Sequence, residues 1–288
     1  MVTVMCTRIF SLNGLVWILC VMALGCSPAA SVETHLETER GCALKPHGEA
    51  QEAVDIAGMV YVAAGPFVRG TNDVVYGDVG PVRTLLLDAF WMDVYEVTVD
   101  QYAQCVRAQA CTEPQSGGDL NWGRPDRGLH PINGVNWMQA VAYCKWVGKR
   151  LPTEAQWEKA ARGADGWTFP WGEEKASCER AVMDDDGYGC GKDSTWEVGA
   201  MPSGVSPYGV HNMAGNVSEW TADWYGVDYY GRAPECNPQG PSSGSKRVVR
   251  GESWYDDFDA GQSFSRRLEL SPWEFHYGLG FRCARSSD

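Results

Sequence analysis

Eight cysteines spread from Cys42 to Cys283 constrain this chain more than any other feature, because the segment they punctuate offers little regular structure of its own. From Ala164 to Asp288 the sequence is turn-rich, with Gly and Trp recurring and no sustained apolar period. Such a stretch needs covalent cross-links or bound cations besides sheet hydrogen bonds. Eight is an even number, no CxxC occurs, and no Cys/His grouping has zinc spacing. Staples are therefore expected, and staples persist in an oxidising, exported setting.

The other three cysteines, Cys6, Cys20 and Cys26, lie at the N-terminus, where the export signal is expected. Arg8 is the only charged side chain before a mostly apolar run of 16 residues, Ile9 to Leu24, which closes on Ala23-Leu24-Gly25-Cys26. A short charged region, an apolar stretch and small closing residues mark a secretory signal. The closing string resembles a bacterial lipobox, in which Cys26 carries the lipid and becomes the new N-terminus. Three segments follow: a lipoprotein signal peptide over 1–25, a flexible tether over 26–55, and one globular domain over 56–286. The expected location is extracytoplasmic, anchored to a membrane of the cell envelope. Within the tether His35 and Glu39 form an HxxxE pair, which in so polar a setting reads as solvated side chains.

The 37 acids outweigh the 24 bases to give a formal charge of -13. Phosphate neutralisation demands clustered Lys and Arg, so nucleic acid is excluded as a partner. Charged residues make up only 21% of the chain, too few for a disordered or coiled-coil protein.

Met59 to Val62 and Thr84 to Leu87 read as short strands. Thr98 and Gln101 form a capping box ahead of Tyr102, Cys105 and Val106 at helical spacing. Asn136 caps a second helix carrying Ala140, Val141 and Cys144, stopped by Gly148. Thr153 and Gln156 box a third, with Trp157 and Ala161 on its inner face and Gly163 at its end.

Seven collinear strings then stand out: Tyr95-Glu96-Val97-Thr98; His130-Pro131 through Val135-Asn136-Trp137; Gly148 to Glu154 with Trp157-Glu158; Phe169-Pro170-Trp171-Gly172; Asn212 to Val217 with Glu219-Trp220; Arg250-Gly251 with Ser253-Trp254; and Gly280-Phe281-Arg282-Cys283. Together they resemble the formylglycine-generating enzyme, or sulfatase-modifying factor, family over about 230 of the 288 residues. The resemblance implies an α+β fold: a compact C-type-lectin-like domain poor in regular secondary structure. It also implies an activity, the copper- and oxygen-dependent oxidation of a cysteine to formylglycine in an unfolded sulfatase segment. The same domain serves other chemistries and unassigned roles, so the site decides the function.

The family's Cu(I) site is built from two cysteines just beyond the Arg-Gly-Gly-Ser-aromatic string. Carried over without gaps, those positions are Asp256 and Gly261. A carboxylate and a glycine cannot supply the soft thiolates that select Cu(I), so copper is not expected and formylglycine formation with it. Ser253 and Trp254 remain as candidates for the cleft that seats a peptide. Glu252, Asp256, Asp257 and Asp259 crowd carboxylates there, and the simplest reading is a solvated acidic loop. Iron usually wants two histidines and a carboxylate. Outside the tether only His130, His211 and His276 offer imidazoles, which makes iron the runner-up redox cofactor.

A family disulfide implies Cys144–Cys283. Cys105–Cys111 and Cys178–Cys190 read as local loop pairs, and Cys42–Cys236 is what remains. A second family bridge is absent from both ends at once, at Ala161 and Arg266. The Asn212 loop resembles a family calcium site, with the side chains of Asn212 and Glu219 and the carbonyls of Gly215 and Val217 as ligands. A second calcium loop would lie near Arg180-Ala181-Val182, where Asp184-Asp185-Asp186-Gly187 could replace a missing Asn.

The resulting expectation is an exported, lipid-anchored domain of this family without the copper site. It would bind a peptide, protein or glycan, or act as an accessory, and be stabilised by structural Ca²⁺ and disulfides. The alternative is an oxidoreductase on a protein or peptide, either formylglycine-generating-like or using non-haem iron. Whether the chain is an enzyme stays open at this point.

Overall fold

A computed structural model describes residues 36–37, 42–44, 54–55, 58–72, 78–185, 187–257 and 268–287. The expected signal peptide, most of the tether, Cys26, Asp186, Asp259, Gly261 and Arg266 lie outside the described residues. Everything below concerns the unit from His35 to Asp288.

The strands in chain order are β1 Leu36–Glu37, β2 Ala43–Leu44, β3 Val54–Asp55, β4 Met59–Val62, β5 Gly65–Arg69, β6 Arg83–Leu87 and β7 Phe90–Asp93. They continue with β8 Ser218–Trp224, β9 Arg247–Arg250, β10 Leu268–Leu270, β11 Leu279–Gly280 and β12 Ala284–Ser286. The helices are α1 Val99–Arg107, α2 Trp137–Trp146 and α3 Glu154–Arg162, with two four-residue turns, α4 Tyr188–Gly191 and α5 Tyr229–Arg232.

Each of the three longer helices starts where a side chain satisfies its first orphan N–H groups. Thr98, Asn136 and Thr153 each accept a bond from the amide three residues on, and Gln101, Gln139 and Gln156 return one to the cap. Such caps are worth about 1 kcal/mol each. At the far end of α3, Gly163 takes φ 73°, a left-handed conformation that stops the helix without Cβ strain.

Two four-stranded sheets carry the architecture, ordered β12-β7-β4-β3 and β10-β9-β8-β11. The first is antiparallel throughout, and β12 from the far C-terminus pairs Ala284 with Met92 of β7. In the second, β11 runs parallel to β8, setting Leu279 against Ser218 and Gly280 against Glu219. The β5–β6 hairpin and the β1–β2 pair stand outside these sheets.

One core joins α1 and α2 to Trp220, Val249 and Phe281; another joins α3 to β4 through β7. Burial of a side chain such as Phe281 or Phe90, both fully enclosed, contributes about 1.5–3 kcal/mol. The cysteines pair as Cys42–Cys236, Cys105–Cys111, Cys144–Cys283 and Cys178–Cys190. Those are the pairs read from the sequence. The whole is an α+β, C-type-lectin-like arrangement with sparse regular structure, in which loops are tied by staples and by backbone-to-loop bonds.

Candidate functional site

The loop that follows β9 is the natural place to look, because a turn there redirects the chain out of the sheet. Gly251 has φ 75°, and a Cβ on it would press the Trp157 ring at 3.2 Å. Beyond it Ser253 is fully buried and Trp254 nearly so. Both cleft candidates therefore form the floor of the region and not its surface. The loop is held from two sides. The Trp254 N–H bonds the Asn216 carbonyl at 3.0 Å, and the Gly189 N–H bonds the Trp254 carbonyl at 2.6 Å. The Asp184 N–H then takes the Asp256 carbonyl at 2.8 Å.

Asp256, at the first of the two expected thiolate positions, is hydrogen-bonded inward. Its Oδ2 accepts from the Ser253 N–H at 2.9 Å and from the Ser253 hydroxyl at 2.7 Å. The second position, Gly261, lies outside the described residues. All eight cysteines from Cys42 onward are consumed in disulfides. The donor set present at this loop, a carboxylate held by a serine with no free thiol, does not fit Cu(I). Of the remaining loop acids, Glu252 is buried and Asp257 is exposed.

Above the floor sits a cluster of rings. Trp254 meets Tyr188 and Tyr255 edge-on, at 6.3 Å and 5.4 Å between centroids. Tyr277 lies 4.9 Å from Tyr255 and 4.0 Å from His276. The Tyr255 hydroxyl and His276 Nδ1 are hydrogen-bonded at 3.0 Å. Burial lowers the His276 pKa below the ordinary imidazole value, with Asp256 pulling the other way, so the ring is neutral at physiological pH. A buried amide supports this wall from behind: the Asn133 side chain donates to the Tyr277 carbonyl at 2.6 Å and accepts from the Asn121 N–H at 2.7 Å.

The other imidazoles serve elsewhere. His130 bonds Thr195 at 2.9 Å and stands beside Arg127; burial and then Arg127 push its pKa down to about 4. His211 packs against the Tyr95 ring at 5.0 Å. Among the described residues, no three His, Cys, Asp or Glu side chains are grouped to hold a metal ion.

The Asn212–Glu219 loop is built by close approach. Gly215 has φ 81°, and a Cβ there would lie 2.8 Å from the Met183 side chain and 2.5 Å from the Val182 carbonyl. That carbonyl, in the region of the expected second calcium loop, accepts the Asn216 N–H at 2.8 Å. Asn212, at φ 57°, uses its side-chain oxygen to accept the Gly199 N–H at 3.2 Å. Val217 is buried one residue ahead of β8. Glu219 is fully buried and engaged on both oxygens: Arg282 donates to it through Nε and Nη2 at 2.7–2.9 Å, and the Trp157 indole at 2.8 Å.

A second buried carboxylate, passed over in the sequence, meets the same loop at Asn216. Glu96 is 1% exposed. One of its oxygens accepts from the Asn216 side chain at 3.0 Å, and the other has no hydrogen-bond partner. Burial pushes its carboxyl up to about 8, against the pull of Arg282 and with a further push from Glu219. An orphaned, enclosed carboxylate oxygen is costly unless a proton or a cation meets it. Glu219, expected as a cation ligand, is instead the partner of Arg282, and Glu96 is the carboxylate at this loop with an oxygen left over. The only signal of this in the sequence was Glu96's place in the Tyr95–Thr98 string, where it read as a family marker.

A third polar centre is structural. Arg250 reaches Glu154 at 3.0 Å, Glu158 at 3.1 Å and the Tyr230 hydroxyl at 2.8 Å, all buried. Arg69 bonds Glu154 at 3.2 Å and stacks 3.5 Å over Tyr230, while Arg162 bonds Glu158 at 2.8 Å. Burial alone would raise the Glu158 pKa, but Arg250, Arg162 and Arg69 hold it at about 2. This network locks α3 to β9 and so fixes where the Ser253 loop departs.

Comparison with known proteins places these features in context. The sulfatase-modifying factor enzyme 1-like domain matches residues 45–287. The formylglycine-generating enzyme of Mus musculus is 31% identical over 283 residues, covering 78% of this chain and 74% of that protein. The serine/threonine-protein kinase pkn1 of Chlamydia caviae is 34% identical over 244 residues, covering 79% of this chain; the chain spans only 38% of that relative's length. Among solved structures, PvdO from Pseudomonas aeruginosa superimposes with a TM-score of 0.68 at 26% identity, covering 79% of this chain and 94% of that one.

Proposed function

Because the chain belongs to the sulfatase-modifying factor family but offers no free thiol at the oxidase loop, we propose that it is a binding or accessory module of that family and not a copper-dependent formylglycine generator. The observation that carries this reading is the bond from Ser253 to Asp256, a carboxylate held inward where the oxidase chemistry needs a thiolate. The loop and the segments packed on it present rings: Tyr188 of α4 is exposed, and Tyr255, His276 and Tyr277 are half-buried. Rings of this kind give rigid contact area at low entropic cost, which suits capture of a peptide, protein or glycan.

The N-terminal residues complete the proposal. A signal peptide over 1–25 would export the domain, a lipid on Cys26 would hold it to a membrane, and the tether over 26–55 would carry it clear of the surface. Calcium at the Asn212 loop would act as a structural cation. The alternative of a redox enzyme on a protein substrate is tested by the same preparation. When the full-length protein is co-expressed with a sulfatase, the target cysteine is expected to stay unmodified by mass spectrometry, and purified protein with a cysteine peptide is expected to consume no oxygen. Formylglycine in the sulfatase, or oxygen uptake that follows added iron or copper, would overturn the binding reading. For the anchor, Cys26→Ser is expected to release the protein from membranes; continued retention would point to an uncleaved signal anchor.

A further inference from the structure

A second place for a ligand lies on the loop that carries the Cys42–Cys236 staple, and its lining shares no residue with the ring cluster around Trp254. There α5 and the turn that follows it enclose a cavity of about 430 Å³, within the range of about 300–1,000 Å³ that small-ligand sites occupy. Its frame is fixed from several sides. The Arg83 guanidinium donates to the carbonyls of Tyr230, Gly231 and Ala233 at 3.2, 3.4 and 2.6 Å, and Cys236 is bonded to Cys42. Asn237 is fastened through both backbone and side chain: its N–H donates to the Leu86 carbonyl at 2.9 Å, and its Oδ1 accepts the Asp88 N–H at 2.8 Å. A site held this way before a ligand arrives has less ordering entropy to lose on binding.

The lining indicates the chemistry that would fit. Tyr229, Pro234 and Pro241 give the cavity apolar faces. Prolines donate no backbone hydrogen bond, and residues 229–242 contain no named strand, so an extended peptide finds no edge to pair with. The polar groups are neutral or neutralised. Gln239 uses Nε2 on the Asn237 carbonyl at 3.0 Å, which leaves Oε1 as an acceptor. Asn237 uses Oδ1 on the Asp88 N–H, which leaves Nδ2 as a donor. Arg232 is paired with Asp228 at 2.7 Å, so it offers further N–H donors without a net charge. Donors and an acceptor beside apolar faces match a pyranose, whose hydroxyls both donate and accept while its ring C–H groups pack on flat apolar surface. The formal charge of -13 opposes an anionic ligand.

We propose that the cavity between α5 and the 237–242 turn binds a neutral sugar unit. This site stands independently of the reading given to the loop after β9. The test is saturation-transfer NMR with titration on the full-length protein, using cellobiose, maltose and N,N′-diacetylchitobiose. Glucose 1-phosphate and acetylated, amidated trialanine serve as the anionic and peptide comparisons. At least one disaccharide is expected to bind with a millimolar Kd, about tenfold more tightly than either comparison. The Arg232→Ala/Gln239→Ala variant, altered only at exposed positions, is expected to weaken that binding about tenfold with the melting temperature unchanged. Disaccharide binding unaltered in the variant would overturn the assignment to this cavity. Binding of none of the three would overturn the sugar itself, and equal affinity for glucose 1-phosphate would overturn a neutral ligand. Trialanine binding that is lost in the variant would replace the sugar site with a peptide site. None of these results bears on the ring-lined loop, which the variant leaves unchanged.

Discussion

Arg282 and Glu219 form a two-pronged ion pair at 2.7–2.9 Å in which neither side chain reaches solvent. The guanidinium also donates to the carbonyls of Asp93, Val94 and His211, so a single residue ties β7, the loop before Asn212 and β8. Removing one partner of such a pair leaves an uncompensated charge in the interior, which typically costs about 3–5 kcal/mol. Arg282→Met is expected to lose that much in urea unfolding. The double variant Arg282→Met/Glu219→Leu should recover part of the loss, because it buries no lone charge. Equal instability of single and double variants would show that the backbone carbonyls, not the carboxylate, are what Arg282 is needed for.

At the neighbouring loop the expected outcome turns on Glu96. If a calcium ion meets its unpartnered oxygen, chelator lowers the melting temperature of the wild-type protein, and Asn212→Ala abolishes that response. Glu96→Gln should weaken the response, since it removes the charge that draws the ion. Thermal melts with and without chelator check this. A wild-type curve indifferent to chelator would remove calcium from the account and leave Glu96 a buried, protonated acid.

These two sites show how far the sequence reaches. The helix starts were legible because a cap is a local device: Thr98, Asn136 and Thr153 sit three residues from the glutamines that answer them. The four cysteine pairs were legible for a mixture of reasons, family resemblance for Cys144–Cys283 and proximity for the two short loops. Glu219 read as a ligand because its partner Arg282 lies 63 residues away, and no spacing reports a contact at that distance. The burial of Ser253 and Trp254 was hidden for the same reason, since their lid comes from Gly189, Asn216 and Tyr277. Aromatic residues were numerous enough that composition could not say which five would cluster.

The α3 network gives a pH prediction with a definite sign. Glu158 is held at about 2 in the folded chain, below its ordinary value of 4.5. A depressed carboxyl contributes stability that is complete above the unfolded pKa and is lost as pH falls through the folded one. Unfolding free energy should therefore drop between about pH 4.5 and pH 2. His130 acts at a higher window: its neutral form is favoured in the fold down to about 4, so its own contribution falls below about pH 6.5, against Glu96, whose carboxyl at about 8 contributes stability that grows as pH falls towards 4.5. Replacing His130 with Gln is expected to remove its share of the loss between pH 6.5 and 4, so that variant and wild type diverge in that window, and to leave the loss below 4.5 that belongs to Glu158. Denaturant melts across pH 2–8 would read both windows; an unchanged slope in the variant would assign the upper one elsewhere.

Cys144 and Cys283 close a loop with a sequence separation of 139 residues, and both sulfurs are fully enclosed in the core beside Phe281. In the chain-entropy picture a loop of that length stabilises the fold by about 5 kcal/mol, the upper end of what disulfides deliver. Cys105–Cys111 spans only 6 residues, so its entropic share is smaller. Replacing Cys144 and Cys283 by Ala is expected to lower the urea midpoint much further than replacing Cys105 and Cys111, with the m-value rising as the unfolded chain expands. The comparison is made on proteins purified without reductant, so that the other three bridges stay closed. Equal losses from the two pairs would mean that local packing around the bridges, and not loop closure, sets their contribution.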